Sequence, residues 1–355
     1  MHAYINGLGN IAPQPVFNDG ELLRDVSAYD TPCLYSIEPN YKDYIQPIQL
    51  RRMSRILKMG VTSAMHALQD AGIAVPDAII TATGIGMMEE TEKFLNGLLD
   101  NGEKMLNPTA FIQSTHNTVG AHIAVMLKCN HYNFTYVHGP VSFESALLDG
   151  MMLLNEKPGS KILVGGVEEM TPEHFNVTDS VGFWKKGGIR NLDLLRYASP
   201  GTIAGEGAAF FVLSSQKTGH DYALLRDVTA FYRPSGKEDI MQHIRLFLKK
   251  NGLSLSEIDL MITGMNGDDR YDGIYHEIAS AMPESNIAYY KHLCGEHYLA
   301  SSFALWLASR IIHDRLLPAI IIVKSGKTFR KEPRNILLYN HHQGIHHSLM
   351  LVTPC

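Results

Sequence analysis

The residues most suited to chemistry lie between Asn133 and Asn155, where a predicted strand, a tight turn and a predicted helix follow one another. Aromatic and β-branched residues predict the strand, and Gly139 and Pro140 end it. Ser142 then stands where the N-cap of the helix is expected. Unpaired backbone N–H groups and the positive end of the helix dipole would point into this turn, which therefore suits a nucleophile or an oxyanion.

Ser142 itself is one candidate nucleophile. His138 or His116 could act as its base, which would give an acyl-transfer or hydrolytic site. The surrounding residues do not form the Gly-x-Ser-x-Gly elbow, however, and serine is a usual N-cap residue. We therefore favour the interpretation that Ser142 caps the helix.

Cys294 is a second candidate nucleophile. Lys291 and His297 lie within three residues of it and could activate its thiol. A free cysteine is more often a small core residue, and we favour that structural interpretation.

Histidines 341, 342, 346 and 347 form the densest histidine group in the sequence. Adjacent histidines point apart, and no nearby carboxylate or cysteine completes a tetrahedral set, so we predict an altered loop and no metal. Gly84 and Gly86 lack the third glycine of a dinucleotide-binding turn. No cofactor is predicted.

The bulk composition is that of an ordinary globular protein. The 355 residues are 45% hydrophobic and 19% charged, with a net charge of −5 and no continuous run of lysine or arginine, so nucleic acid is not expected as a partner. Neither a signal peptide nor an apolar stretch of about 18 residues is recognisable, which predicts a cytoplasmic protein without a membrane span. Its four cysteines lack CxxC spacing and are predicted to be reduced.

Strand-like and helix-like segments alternate along the chain, which predicts an α/β protein with largely parallel sheets. The clearest helical pattern runs from residue 50 to 71. Between residues 168 and 199 the pattern is lost, and we predict a cap over a site. The order of elements suggests two similar halves, residues 1–215 and 216–355.

Four short motifs carry a resemblance when they are taken in order. They are Arg51-Arg52-Met53-Ser54-Arg55, Thr83-Gly84-Ile85-Gly86, Gly205-Glu206-Gly207-Ala208 and Lys291-His292-Leu293-Cys294-Gly295-Glu296. Together with the strand and helix around Pro140, they resemble the ketosynthases (beta-ketoacyl-ACP synthases) of the thiolase superfamily. This resemblance implies a five-layered α/β/α/β/α fold built from two similar halves.

The same resemblance implies that the catalytic residues are missing. Pro140 stands where those enzymes have their cysteine, and proline offers neither a thiolate nor an N–H group. Asn266 stands at the first histidine position and Glu296 at the second, although a shift of one residue would place His297 there. Lys291 is retained.

By position, four residues are candidates for substrate binding, namely Phe143, Lys291, Gly205 and Glu206. The sequence around the turn most resembles that of the ketosynthase-like proteins of aryl polyene and flexirubin pathways. The resemblance thus implies a non-condensing subunit of the chain-length-factor type, which pairs through the strand after Asn133 with an active ketosynthase, or with itself, and meets acyl carrier protein. Two alternatives stay open: an acyltransferase, decarboxylase or hydrolase that uses Ser142 or Cys294, and a protein that binds an acyl or aromatic ligand without chemistry.

Overall fold

Strands and helices alternate through most of the chain in a computed structural model, which describes residues 1–17, 20–106, 108–327 and 329–355. The strands are β1 Ala3–Ile11, β2 Cys33–Leu34, β3 Ala78–Ala82, β4 Tyr132–Tyr136, β5 Lys161–Glu168, β6 Ala204–Gly205, β7 Gly207–Ser214, β8 Ala223–Tyr232, β9 Leu260–Thr263, β10 Asn286–Tyr289, β11 Ile322–Lys324, β12 Ile336–His342 and β13 His346–Thr353. The helices are α1 Pro47–Leu50, α2 Arg55–Asp70, α3 Met88–Asp100, α4 Pro108–Gln113, α5 Thr118–Leu127, α6 Ser142–Glu156, α7 Pro172–Ser180, α8 Lys237–Lys250, α9 Gly273–Ser280, α10 Lys291–Cys294 and α11 Ala300–Asp314.

Eleven of these strands are hydrogen-bonded in one continuous order, β11-β10-β9-β12-β13-β8-β1-β7-β5-β3-β4. Strands β3, β4 and β5 are parallel to one another, and so are β9, β10 and β12. Within this sheet, the strands before residue 215 lie on one side of the β1–β8 junction and the later ones on the other, while β2 and β6 pair in a separate two-stranded sheet. We retain the division into two halves at residue 215 as a proposal on this ground.

Three large hydrophobic clusters show how helices cover the two parts of the sheet. Apolar side chains of α6 and α11 pack between the two parts in one shared cluster. Helices α2 and α5 cover the outer face of the first part, and α8 and α9 cover the outer face of the second. The succession is α/β/α/β/α, as predicted, because each of these six helices has buried its apolar side against a strand face.

Two helical predictions need correction. The helix predicted from residue 50 begins at Arg55, and the preceding Pro47–Leu50 forms a separate short helix. The stretch 168–199, predicted to lack regular structure, contains α7, whose N-cap Thr171 accepts a hydrogen bond from the His174 N–H at 3.1 Å. Its apolar positions are few, so periodicity could not reveal it.

Within the described residues no helix has the length and apolar character needed to cross a membrane. Strand β4 forms one edge of the sheet, and β11 forms the other.

Candidate functional site

Three residues that the sequence singled out form one hydrogen-bonded cluster. Lys291 Nζ lies 2.6 Å from Glu296 Oε2, and Asn266 Nδ2 donates to the same oxygen at 2.6 Å. Asn266 follows β9, whereas Lys291 opens α10 directly after β10. Because β9 and β10 are parallel, their carboxyl ends meet at one edge of the sheet, which brings the three side chains together.

Within the cluster, the donors of Lys291 and Asn266 both bind the Glu296 carboxylate. The Lys291 side chain is 1% exposed and that of Glu296 is 13% exposed. Stabilising a developing oxyanion requires donors aimed at an empty position where charge appears. Here both donors already bind a carboxylate oxygen, so the site would oppose a second negative charge.

Local backbone contacts fix the loops that carry the cluster. The Asp272 carboxylate accepts the N–H groups of Asn266 at 3.1 Å and of Gly267 at 2.7 Å. The Gly205 N–H donates to the Glu296 carbonyl at 3.0 Å. A Cβ atom at Gly205 would lie 2.0 Å from the Cys294 carbonyl oxygen, so only glycine permits this approach. Gly205, predicted to bind substrate, therefore positions the Glu296 loop instead.

A narrow cavity of about 50 Å³ lies beside the cluster. Glu296, His297 and Tyr298 line it from one side, and Trp184 of the predicted cap region lines it from another. Pockets that hold drug-sized ligands have volumes of about 300 Å³ or more. This chain alone therefore leaves no room beside Glu296 for an acyl chain.

Two glutamates of this cavity were missed by the sequence analysis. Glu168 ends β5 and accepts the Gly84 N–H at 2.6 Å and the Ile85 N–H at 3.2 Å. Glu169 accepts the Glu89 N–H at 3.0 Å in the first turn of α3. Burial raises the pKa of Glu168 to about 8 and that of Glu169 to about 7. The run Val-Glu-Glu-Met after a buried strand was the only available signal.

Ser142 is not the N-cap residue that we predicted. It is the first residue of α6, Val141 occupies the N-cap position, and residues 139–141 form a 3-10 turn. Its Oγ accepts the His138 N–H at 2.7 Å and donates to the Gly139 carbonyl at 2.8 Å, so the hydroxyl braces the turn. Ser142 is fully buried, and His138 meets it through the backbone, which disfavours a nucleophile–base pair.

Cys294 is also fully buried, and its Sγ lies 3.3 Å from the Gly295 carbonyl oxygen. Burial raises the pKa of its thiol far above the ordinary value, so no thiolate forms near neutral pH. Burial and the charge of Lys291 lower the pKa of His297 to about 3, which keeps this ring neutral. These placements favour the structural interpretation of Cys294.

The two other predicted binding residues lie in the interior and not on this cavity wall. Phe143 is fully buried, with its ring centroid 5.7 Å from that of Phe211. Glu206 is fully buried and receives the Arg55 guanidinium and the N–H groups of Ser36 and Met170. Both therefore contribute to the architecture around the site.

The histidine-rich stretch is a β-hairpin and not the loop that we predicted. His341 and His342 end β12, and His346 and His347 begin β13, with a turn at Gln343 that has a φ of 53°. His342 lines the cavity, and its ring lies 5.3 Å from that of Tyr298. Among the described residues no group of histidine, cysteine and acidic side chains could hold a metal ion.

Replacing Glu296 by glutamine should destabilise the protein by about 1–3 kcal/mol, because buried Lys291 loses its charged acceptor. Urea unfolding followed by circular dichroism measures this change. The matched control is Glu277→Gln on the exposed side of α9, which should shift stability by less than about 0.5 kcal/mol. Equal midpoints for the two variants would show that Lys291 does not depend on this carboxylate.

Comparisons with known proteins agree with this architecture. The family model for the beta-ketoacyl synthase N-terminal domain matches residues 32–184. A search of curated protein sequences gives no match.

Several solved structures are similar over the whole chain. The ishigamide ketosynthase/chain length factor is 18% identical with a TM-score of 0.79, and the alignment covers 100% of this chain and 99% of that one. The structure of a type II PKS acyl-carrier protein in complex with its ketosynthase bound to the hexaketide is 14% identical with a TM-score of 0.74. That alignment covers 100% of this chain and 99% of the other. The ketosynthase from module 6 of the Bacillus subtilis 168 bacillaene synthase is 14% identical with a TM-score of 0.75, and the alignment covers 100% of this chain and 72% of that one. The chain thus has the thiolase-like ketosynthase fold, which confirms the predicted fold class.

Proposed function

We propose that this chain is a non-condensing ketosynthase-like subunit, of the chain-length-factor type, that acts with an active ketosynthase on acyl chains held by acyl carrier protein. The Lys291–Glu296–Asn266 cluster is the observation that carries this proposal. The finer assignment to aryl polyene or flexirubin pathways rests on the sequence resemblance alone.

Electrostatics support the loss of condensing chemistry. Decarboxylative condensation brings a malonyl carboxylate into the site and then develops an enolate there, so the site must favour negative charge. The partly exposed Glu296 carboxylate faces the cavity and would repel both species. Pro140 adds neither a thiolate nor an N–H donor at the start of α6.

The edge strand β4 supports a partner subunit. Tyr132 is 43% exposed and Phe134 is 47% exposed, and the ring of Phe134 lies 5.0 Å from that of Tyr136. An exposed edge with an aromatic ladder is a ready template for strand pairing. We propose that an active ketosynthase pairs here, with a second copy of this chain as the other option.

The two alternative functions make different use of the site. An acyltransferase or hydrolase would need Ser142 or Cys294 at a cavity wall, whereas both are fully buried. A protein that binds an acyl or aromatic ligand beside Glu296 would need more than the cavity of about 50 Å³ found there. A larger cavity of about 690 Å³ lies next to it, but charged and polar side chains such as Arg55 and Glu92 line most of its wall, which does not suit an apolar ligand. The subunit proposal needs neither, since the partner would supply the nucleophile and complete the tunnel.

Incubation with acyl-loaded carrier protein should leave the mass of this chain unchanged, because Ser142 and Cys294 are fully buried and desolvation raises the pKa of the exposed Cys355 thiol to about 11. Intact-protein mass spectrometry measures this, with Ser142→Ala and Cys294→Ala as parallel samples. An added ketosynthase partner should become acylated under the same conditions. A stable mass gain that disappears in one variant would instead identify a working nucleophile and refute the proposal.

Phe134→Asp should weaken association with the partner by about 100-fold or more, since pairing would bury an unpaired carboxylate at the centre of β4. Co-purification with the ketosynthase and analytical ultracentrifugation measure the loss. Leu246→Asp is the matched control, because Leu246 is 56% exposed on α8 at the far side of the fold. An equal effect of both substitutions, or of neither, would rule out β4 as the interface.

A further inference from the structure

The end of β11 and the loop from there to β12 carry five basic side chains on the surface of an acidic protein. Residues 324–334 contain a single acidic residue, Glu332, whereas the whole chain has a net charge of −5. Five of these eleven residues are lysine or arginine, so the sequence already brings them together. All of them are exposed, and we name them the basic edge: Lys324, Lys327, Arg330, Lys331 and Arg334.

Two buried side chains hold the backbone of the basic edge in place. Asn286 is fully buried and binds the Gly326 N–H at 2.9 Å and the Arg330 carbonyl at 3.4 Å. Asp259 is 7% exposed and accepts the N–H groups of Arg334 at 2.8 Å and of Asn335 at 3.0 Å. Interior polar groups thus hold the backbone at both ends of the basic edge.

Three of the five charges have no acidic partner within the described residues. Lys327 lies 3.4 Å from Glu284, and Arg330 lies 3.0 Å from Asp259, whereas Lys324, Lys331 and Arg334 form no ion pair. These three charges remain free to meet an anionic partner.

Apolar side chains accompany the charges. Phe329 is 49% exposed within the loop, and Val323 is 39% exposed on the edge strand β11. Ile320 is 37% exposed just before that strand. A partner of this surface must therefore accept apolar groups as well as positive charge.

The basic edge lies away from the cavity. It runs along the amino ends of β9, β10 and β12, where it contacts Asp259 and Asn286, while Asn266, Lys291 and His342 follow or form the carboxyl ends of the same strands. At about 3.3 Å per residue the two ends are about 20 Å apart. A carrier protein docked on the basic edge would not face the site with its thioester.

From this combination we infer that the basic edge docks the protein on an anionic phospholipid surface, with the lysine and arginine side chains on the head groups and Phe329 at the level of the acyl boundary. Polybasic segments are attracted to anionic leaflets, and aromatic side chains settle at the interface. Nucleic acid would use the charges but leave the apolar side chains unused. This inference is independent of the proposed function as a non-condensing subunit.

The test is flotation of the full chain with vesicles of phosphatidylcholine alone or mixed equally with phosphatidylglycerol. We expect binding only to the mixed vesicles, and a strong decrease between about 50 mM and about 500 mM salt. The triple variant Lys324→Gln, Lys331→Gln and Arg334→Gln should lower the partition coefficient by about 100-fold. Phe329→Ser should lower it several-fold without changing the salt dependence.

The matched control removes the same charge elsewhere, with exposed Lys157, Lys217 and Lys249 each changed to glutamine. It should retain nearly all of the binding, and thermal unfolding should confirm that all variants are folded. An equal loss in both triple variants would overturn the inference, because net charge alone would then explain binding. Binding to soluble polyglutamate without binding to either vesicle would overturn it in favour of an acidic protein partner.

Discussion

Replacing Glu206 by alanine should lower the free energy of unfolding by about 3–5 kcal/mol, which is the range expected when one partner of a buried ion pair is deleted. The carboxylate is fully buried and receives the N–H groups of Ser36 at 2.8 Å and Met170 at 3.1 Å. Arg55 Nη1 donates to its Oε2 at 2.7 Å, and Nη2 donates to its Oε1. Removal would leave two buried N–H donors without an acceptor and the Arg55 guanidinium with only the Glu38 carboxylate.

Glu38 offers a matched control because it binds the same arginine from the surface. Its carboxylate accepts from Arg55 Nε at 2.6 Å, but the Glu38 side chain is 44% exposed. Glu38→Ala should therefore cost less than about 1 kcal/mol. Urea unfolding of both variants decides the matter, and similar midpoints would show that burial of Glu206 adds nothing to its contact with Arg55.

Strongly patterned segments of the fold could be predicted from the sequence. The helix α2 has apolar residues at helical spacing and was recognised, although its start was placed five residues early. Lys291 and Glu296, which the resemblance singled out separately, also lie in contact in the structure. These features are local, since each depends on side chains within one or two turns.

Features that depend on contacts between distant segments could not be predicted. The raised pKa values of Glu168 and Glu169 follow from burial beneath loops that lie about 80 residues away in sequence. Ser142 binds the turn behind it, and nothing in its sequence neighbourhood distinguishes this from capping. Tertiary packing determines the burial of the two glutamates and the hydrogen bonds of Ser142, and it overrides the conformational preference of the local sequence.

Acidification should destabilise the protein strongly, because three buried histidines and His342 at the cavity wall stay neutral in the folded state. Burial lowers the pKa of His292 and His297 to about 3 and that of His342 to about 4, and it lowers the pKa of His341 well below its ordinary value. In the unfolded chain these rings bind protons below a pKa of about 6.5. Between pH 6.5 and its folded pKa, each histidine therefore lowers the free energy of unfolding by roughly 1.4 kcal/mol for every pH unit of acidification.

The buried carboxyls act in the opposite direction over part of this range. Glu168, with a pKa of about 8, and Glu169, with a pKa of about 7, bind protons in the folded state before they do so in the unfolded chain. Their protonation adds stability as the pH falls towards 4.5, the ordinary value for glutamate. Below that pH their contribution no longer grows and no longer offsets that of the histidines. We therefore expect the free energy of unfolding to fall gradually below pH 6.5 and steeply below pH 4.5.

A single substitution isolates the histidine effect. His292 is fully buried with its ring 3.9 Å from that of Tyr289, and His292→Leu removes the titrating group while it keeps an apolar side chain there. Between pH 7 and pH 5 the variant should lose about 2 kcal/mol less stability than the wild-type protein, whatever its stability at pH 7. The control His131→Leu, at an exposed position, should leave the pH dependence unchanged. Parallel pH profiles for the wild-type protein and His292→Leu would mean that His292 does not resist protonation in the folded protein.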